Sequence, residues 1–322
     1  MTTPDVAPTR RLMAIGGAED KLGPTRVLRR FVAESGGTAA RIVVCPTASA
    51  LGAEIVELYE RLFHRLGAEE ILTARPRDRR EADKRGFADA VESATGVFFT
   101  GGNQMKLAAT IRGTRFGDAV VAAYQRGAMV GGTSAGASVV SEHMVGYGSP
   151  GIHPKFRMVG QAQGLGLLPG VIVDQHFGQR ARYGRLMNLV ASSPDLLGIG
   201  LDEDTAIHVA DESELEVIGK GSVFVVDMRT AITDAATARG TAPLMISGAV
   251  AHFLPSGARF DLTSRTLVSY RDHTAVDPAD LPEPTHSLAA LSRRVASEGA
   301  DDTVVARNAR RRRRAKEHEE AQ

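Results

Sequence analysis

A chain of 322 residues with 43% hydrophobic and 24% charged side chains can bury a sizeable core, and its formal net charge of +1 selects neither nucleic acid nor a membrane surface as partner. The single cysteine, Cys45, excludes an intramolecular disulfide and a Cys-based zinc site and fits a reducing compartment. The opening MTTPDVAPTRR lacks the apolar stretch of a signal peptide, and nowhere do eighteen apolar residues run together, so a cytoplasmic protein without a membrane span is expected.

In chain order, short apolar runs recur at 11–17 (RLMAIGG), 41–49 (RIVVCPTAS), 69–74 (EEILTA), 96–102 (GVFFTGG) and 128–134 (AMVGGTS). Several end in glycine or small polar residues, as strands do. Helical stretches separate them. GPTRVLRRFVAESGG has Pro24 near its start and glycines past its end. The next places Ile55, Leu58, Tyr59, Leu62 and Leu66 along one face. RREADKRGFADAVESA and RFGDAVVAAYQRG complete the alternation. Repeated β-α units predict an α/β fold with a mostly parallel sheet flanked by helices. The loops IGGAED, PTAS, TGGNQ and GGTSAGAS should then gather at the carboxyl edge of that sheet. Cys45 lies in an apolar run away from any sharp turn and reads as a buried thiol.

The second half changes character. Residues 142–170 read as a glycine-rich loop, carrying His143 and His153, that could cover a site. VIVDQHFGQRARYGRL then reads as strand, polar loop and helix, and apolar stretches with turn signals follow as sheet extension and β-hairpins. The core pattern stops near 272. The chain divides into a single catalytic domain, 1–272, and a basic extension, 273–322, expected to be disordered. Its run Arg310–Arg314 precedes KEHEEAQ, so a solvated tail is expected rather than a nucleic-acid site.

The chemistry centres on VGGTSAGASVV. Gly132-Thr133-Ser134-Ala135-Gly136 has the G-x-S-x-G spacing of a sharp strand-to-helix turn that holds a serine up for attack. Such a serine needs a base, and the base needs an acid to fix its tautomer. His176 follows an apolar strand and is surrounded by Asp174, Gln175, Arg180, Arg182 and Arg185; Asp202, Glu203 and Asp204 interrupt another. The order serine, histidine, acid differs from that of the α/β-hydrolases, so the fold should be another. Within the acid trio, Asp204 reads as a solvated turn residue. The N–H of Ala135 and one from Gly101 or Gly102 could form an oxyanion hole. No histidine spacing suggests a metal, and no cofactor is expected.

GGAEDK (16–21), PTAS (46–49), TGGNQ (100–104), GGTSAGA (131–137), DQHFGQRARYGRL (174–186) and GLDEDTA (200–206) together resemble the cyanophycinase family, peptidase E-like serine peptidases with a class I glutamine amidotransferase-like, flavodoxin-like fold. The resemblance covers roughly 10–270. It implies a serine exopeptidase that degrades cyanophycin, multi-L-arginyl-poly-L-aspartate, to β-aspartyl-arginine dipeptides. It assigns Ser134 as nucleophile, His176 as base and Glu203 as acid. Gln104, Asp174, Gln175, Arg180, Arg182 and Arg185 match the substrate-binding stretches, and the family suggests a homodimer. Carboxylates favour bidentate arginine, so substrate contacts are expected from the arginines, with Arg182 and Arg185 on one helix face and Arg180 on a loop. Asp174 could bind a guanidinium or brace these arginines. TGGNQ departs from the family's GGDQ-like form at Asn103. Hydrolysis of small aspartyl peptides, or an amidotransferase-like binding module without chemistry, are the alternatives.

Overall fold

The computed structural model describes residues 8–270. Strand β1 (Arg11–Ile15), helix α1 (Arg26–Glu34), β2 (Arg41–Cys45), α2 (Ala53–Arg65) and β3 (Glu70–Thr73) open the chain. Two short helices, α3 (Arg79–Ala82) and α4 (Arg85–Glu92), precede β4 (Gly96–Phe99); α5 (Gln104–Ile111) and α6 (Arg115–Gln125) precede β5 (Met129–Thr133). Helix α7 (Ala135–Val140) runs straight into β6 (Ser141–Gly148), followed by β7 (Val159–Gln163) and β8 (Leu168–Gln175). After α8 (Tyr183–Ser192) come β9 (Leu197–Leu201), β10 (Thr205–Ala210), β11 (Glu214–Gly219) and β12 (Ser222–Asp227). The two-residue strands β13 (Ile232–Thr233) and β14 (Ile246–Ser247) lead to β15 (Val250–Pro255), β16 (Ala258–Asp261) and β17 (Thr266–Tyr270).

Among the described residues, nine strands form one sheet in the order β17-β16-β11-β10-β1-β5-β4-β2-β3. The β-α repeats of the first half supply its parallel part, β1, β5, β4, β2 and β3. Antiparallel strands β10, β11, β16 and β17 extend it. A second sheet, β15-β12-β9-β8-β6-β7, is parallel only where β8 meets β6 and β9. The α/β reading holds, with two large sheets in place of one and a separate pair of β13 with β14.

Two-residue periodicity sorts the core. Met13 and Ile15 of β1 face α1 and α2, together with Ile42, Val44 and Phe98. Leu12 and Ala14 face the other way, onto a layer that includes α6, α7 and the inner residues Val171, Val173 and Ile199 of the second sheet. The outer face of that sheet carries α8 through Leu186, Leu189 and Val190. Under α2, Phe98 lies 5.1 Å from Phe31, 5.2 Å from Phe63 and 5.0 Å from Tyr59, ring centre to ring centre. Each fully buried phenylalanine contributes roughly 1.5–3 kcal/mol.

Two expectations are corrected, and one helix is added. Residues 141–148 and 159–163 are strands of the second sheet, not a covering loop, and His143 lies within β6. The stretch read as one helix over 79–94 is two, broken at Asp83 and Lys84. Helix α5, whose N-cap Asn103 accepts from Lys106 N–H at 2.9 Å, has only eight residues and went unread. The expected extension, 273–322, with Arg310–Arg314, lies outside the described residues. Among those described, no helix is long and apolar enough to cross a membrane.

Candidate active site

Ser134 caps the junction of β5 and α7 with φ 53° and ψ −107°, a conformation that costs a non-glycine residue energy and is held by its surroundings. Ile15 C=O, at the end of β1, accepts from Ser134 N–H at 2.9 Å. Gly136 lets the helix start this close to the sheet: a Cβ there would sit 2.3 Å from Phe99 O. The glycines of G-x-S-x-G are thus required by close approach of backbones.

The second sheet brings the histidine. His176 follows β8, its backbone also left-handed (φ 48°), and its N–H donates to Gly16 C=O in the first sheet's loop at 2.8 Å. Gly17 leaves room for the ring, since a Cβ would lie 2.3 Å from His176 Cε1. Ser134 Oγ is 2.9 Å from His176 Nε2, and His176 Nδ1 is 2.6 Å from Glu203 Oε1. An ionised carboxylate only accepts, so Nδ1 carries the proton and Nε2 is free to accept from the serine hydroxyl. Glu203 sits in the short turn where the chain crosses from β9 of the second sheet to β10 of the first. The two sheets therefore converge on one hydrogen-bonded series.

Its neighbours in sequence do other work. Asp202 Oδ1 accepts from Gly178 N–H at 2.9 Å and Oδ2 from Ser222 N–H and Oγ, fixing the turn after His176. Asp204 Oδ1 accepts from Asp20 N–H at 2.8 Å, and Asp204 N–H donates to Gly17 C=O. Asp204 is thus a half-buried turn residue whose carboxylate also braces the loop after β1. Gln179 Oε1 accepts from Glu203 N–H at 3.0 Å.

Burial holds the His176 imidazole below its ordinary value; the hydrogen bond it donates to Glu203 opposes this, and the Arg180 guanidinium adds to it. The ring is therefore neutral, and able to accept a proton, over more of the physiological range. Cys45 is buried and its thiol is pushed up to about 11, as an inert core residue would be.

The basic cluster departs from expectation. Asp174 is fully buried, and its carboxylate accepts from Arg185 Nε at 2.6 Å, from Arg185 Nη2, and from Arg182 Nη1 at 3.3 Å. Arg182 Nη1 also donates to Gln175 Oε1 at 2.7 Å, and Gln175 Nε2 to Ser138 Oγ at 3.4 Å. Of the two roles open to Asp174, bracing is the one the geometry displays. Arg185, with a side chain 5% exposed, is enclosed by that brace. Arg180 ends a short turn (Gly178–Arg180), is exposed, and has no side-chain partner among the described residues. Gln104 Nε2 donates to Val145 C=O at 3.1 Å, tying α5 to β6. The N–H groups of Ala135 and Gly102 have no hydrogen-bond partner among the described residues, as a helix start and a loop glycine with φ 142° allow. The described residues contain no group of three His, Cys, Asp or Glu side chains able to hold a metal ion.

One residue the sequence reading passed over is Glu19, inside the quoted GGAEDK. Its carboxylate is buried against Tyr59, Lys21 and Thr133. It stands one residue beyond a strand and two glycines, a position that marks the loop but not which way the carboxylate faces.

An α/β chain that raises a serine on a strand-to-helix elbow, in series with an imidazole and a carboxylate, falls in the class of serine-type hydrolases. A sequence model of peptidase family S51 matches residues 12–217. The cyanophycinase of Trichormus variabilis is 38% identical over 270 residues, spanning 83% of this chain and 90% of its own; that of Geminocystis herdmanii is 37% identical over 252, spanning 78% and 93%. The crystal structure of a peptidase from an acI-B1 Actinobacterium shares the fold with a TM-score of 0.52 at 22% identity, covering 76% of this chain and 97% of that one. The chain belongs to peptidase family S51 and is a serine-type peptidase.

Proposed function

We propose that this peptidase hydrolyses cyanophycin from a chain end, releasing β-aspartyl-arginine dipeptides. The observation that carries the reading is the hydrogen-bonded series Ser134, His176, Glu203 on a strained elbow, in an S51 chain 38% identical to a cyanophycinase. In this account Ser134 Oγ attacks the scissile carbonyl carbon while its proton passes to His176 Nε2. Glu203 holds the ring by Nδ1 and stabilises the imidazolium. The Ala135 and Gly102 N–H groups, free of other partners, receive the developing oxyanion, each such donor being worth about 3 kcal/mol. As the tetrahedral intermediate collapses, the C–N bond breaks and the imidazolium gives its proton to the leaving nitrogen. Water, deprotonated by His176, then cleaves the acyl-enzyme ester and restores the serine.

Arg180, exposed and unpartnered beside the series, supplies a guanidinium for a substrate carboxylate. Gln104, Gln175 and Arg182 would complete the substrate-binding surface; Asp174 and Arg185 form the buried support that holds Arg182 in place. The enzyme works without a metal or cofactor, in the cytoplasm, as a homodimer. The test is incubation with insoluble cyanophycin and identification of the soluble product by mass. β-Aspartyl-arginine is the expected product; an untouched polymer, with cleavage only of small aspartyl peptides, would overturn the substrate assignment.

A further inference from the structure

The end of β1 and the loop that follows it hold Ser134, His176 and Asp204, the neighbour of Glu203. Ile15 C=O takes the Ser134 N–H, Gly16 C=O takes the His176 N–H, and Gly17 C=O takes the Asp204 N–H. Asp20 N–H returns the last contact by donating to Asp204 Oδ1 at 2.8 Å. In the middle of this loop stands Glu19, with a side chain only 1% exposed. Its Oε2 accepts from Thr133 Oγ1, the hydroxyl of the residue before the serine, at 2.5 Å. Its Oε1 accepts from Tyr59 OH at 2.5 Å and pairs with Lys21 Nζ at 2.8 Å. Tyr59 itself lies on the inner face of α2, packed against Phe63 and Phe98.

A buried carboxylate is an expensive way to hold a fold together, because apolar residues of similar volume fill the same space without losing hydration. Its advantage is direction. Thr133 can place its hydroxyl in more than one rotamer, and the bond to Glu19 selects one. That rotamer is next to the left-handed Ser134, where small rotations of the elbow move Oγ relative to His176 Nε2. The Tyr59 and Lys21 contacts in turn anchor the carboxylate to the rigid aromatic layer.

We infer that Glu19 is a positioning residue: through Thr133 it sets the orientation of the elbow, and through its loop it fixes the spacing between serine, histidine and acid. The inference rests on Ser134 being the nucleophile. Two readouts separate the claims, namely the rate at which a fluorophosphonate labels Ser134, located by peptide mapping, and kcat and KM on soluble β-Asp-Arg oligomers. Both are normalised to titrated active sites, so partial unfolding does not enter.

In Glu19→Gln the amide can no longer accept from Thr133 and from Tyr59 together, so kcat and the labelling rate should both fall by about 10- to 100-fold with KM nearly unchanged. Thr133→Val, isosteric but without the hydroxyl, should fall alike, and Thr133→Ser should restore most of the rate. The double variant Glu19→Gln with Thr133→Val should be no slower than the slower single variant, because both changes remove one bond. Should Glu19→Gln fail to fold, the two Thr133 variants decide. A Glu19→Gln enzyme labelled within about twofold of the wild-type rate, or Thr133→Ser as slow as Thr133→Val, would overturn the inference. A wild-type enzyme labelled elsewhere than Ser134 would overturn the nucleophile assignment beneath it.

Discussion

Three consecutive acids, Asp202, Glu203 and Asp204, show how finely residue position divides labour here. Only Glu203 reaches the imidazole; the flanking pair accept from backbone N–H groups of two different loops. Glu203→Gln keeps the shape but loses the charge that stabilises the imidazolium, so kcat should fall on the order of 10⁴-fold. Asp204→Asn retains an oxygen that can accept from Asp20, and should cost less than about tenfold. Steady-state rates of the two variants check this, and the reverse ranking would move the acid. The pH profile gives an independent reading. His176 must be neutral to accept the serine proton, and burial holds its pKa below the ordinary 6.5. The acidic limb of kcat/KM should therefore lie below 6.5. Removing the Arg180 charge by Arg180→Gln should move that limb to higher pH, since this guanidinium disfavours the imidazolium. A limb that stays in place would mean another group controls it. Ser134, His176 and Glu203 were all legible as motifs because each interrupts or ends an apolar run. Glu19 was not, since nothing local distinguishes a carboxylate that faces inward from one that faces water.

At the level of elements, the β-α repeats of the first half declared themselves through periodicity and terminal glycines. The second sheet did not. Strand β6 carries Gly146 and Gly148 among polar residues, and β7 mixes glutamines with Gly160, so neither displays an apolar alternation. The pairing of β6 with β8, and of β7 with β6, makes them strands, which is a tertiary cause invisible in a local window. The arginine cluster was similarly half-legible: Arg182 and Arg185 do lie near one another, but the buried Asp174 draws both inward. Asp174→Ala would leave a buried guanidinium unpaired and should cost about 3–5 kcal/mol, read as a lower midpoint of urea unfolding. An unchanged midpoint would mean that the arginines find water instead. Gly136→Ala addresses the elbow. Its Cβ would press on Phe99 O and push α7 off the sheet, so kcat should drop by about 100-fold. Normal turnover in that variant would show that the close approach is not needed.

On the scale of the whole molecule, the serine comes from one sheet, the histidine from the other, and the acid from the turn that joins them. Every group placed in or around this series lies between residues 15 and 222. Deleting residues 285–322 should accordingly leave turnover of soluble β-Asp-Arg oligomers unchanged, and a large loss would give the extension a part in catalysis. The fold class was legible because parallel β-α units have few alternatives. The meeting of two sheets was not, since it depends on which strands pair across 42 positions of chain separating Ser134 from His176. The most direct test of the account compares wild-type protein with Ser134→Ala on cyanophycin, with circular dichroism showing both folded. The wild type should release β-aspartyl-arginine and the variant no more than a trace. A folded Ser134→Ala protein that kept about a tenth of wild-type turnover would contradict it, since loss of a true nucleophile costs orders of magnitude more.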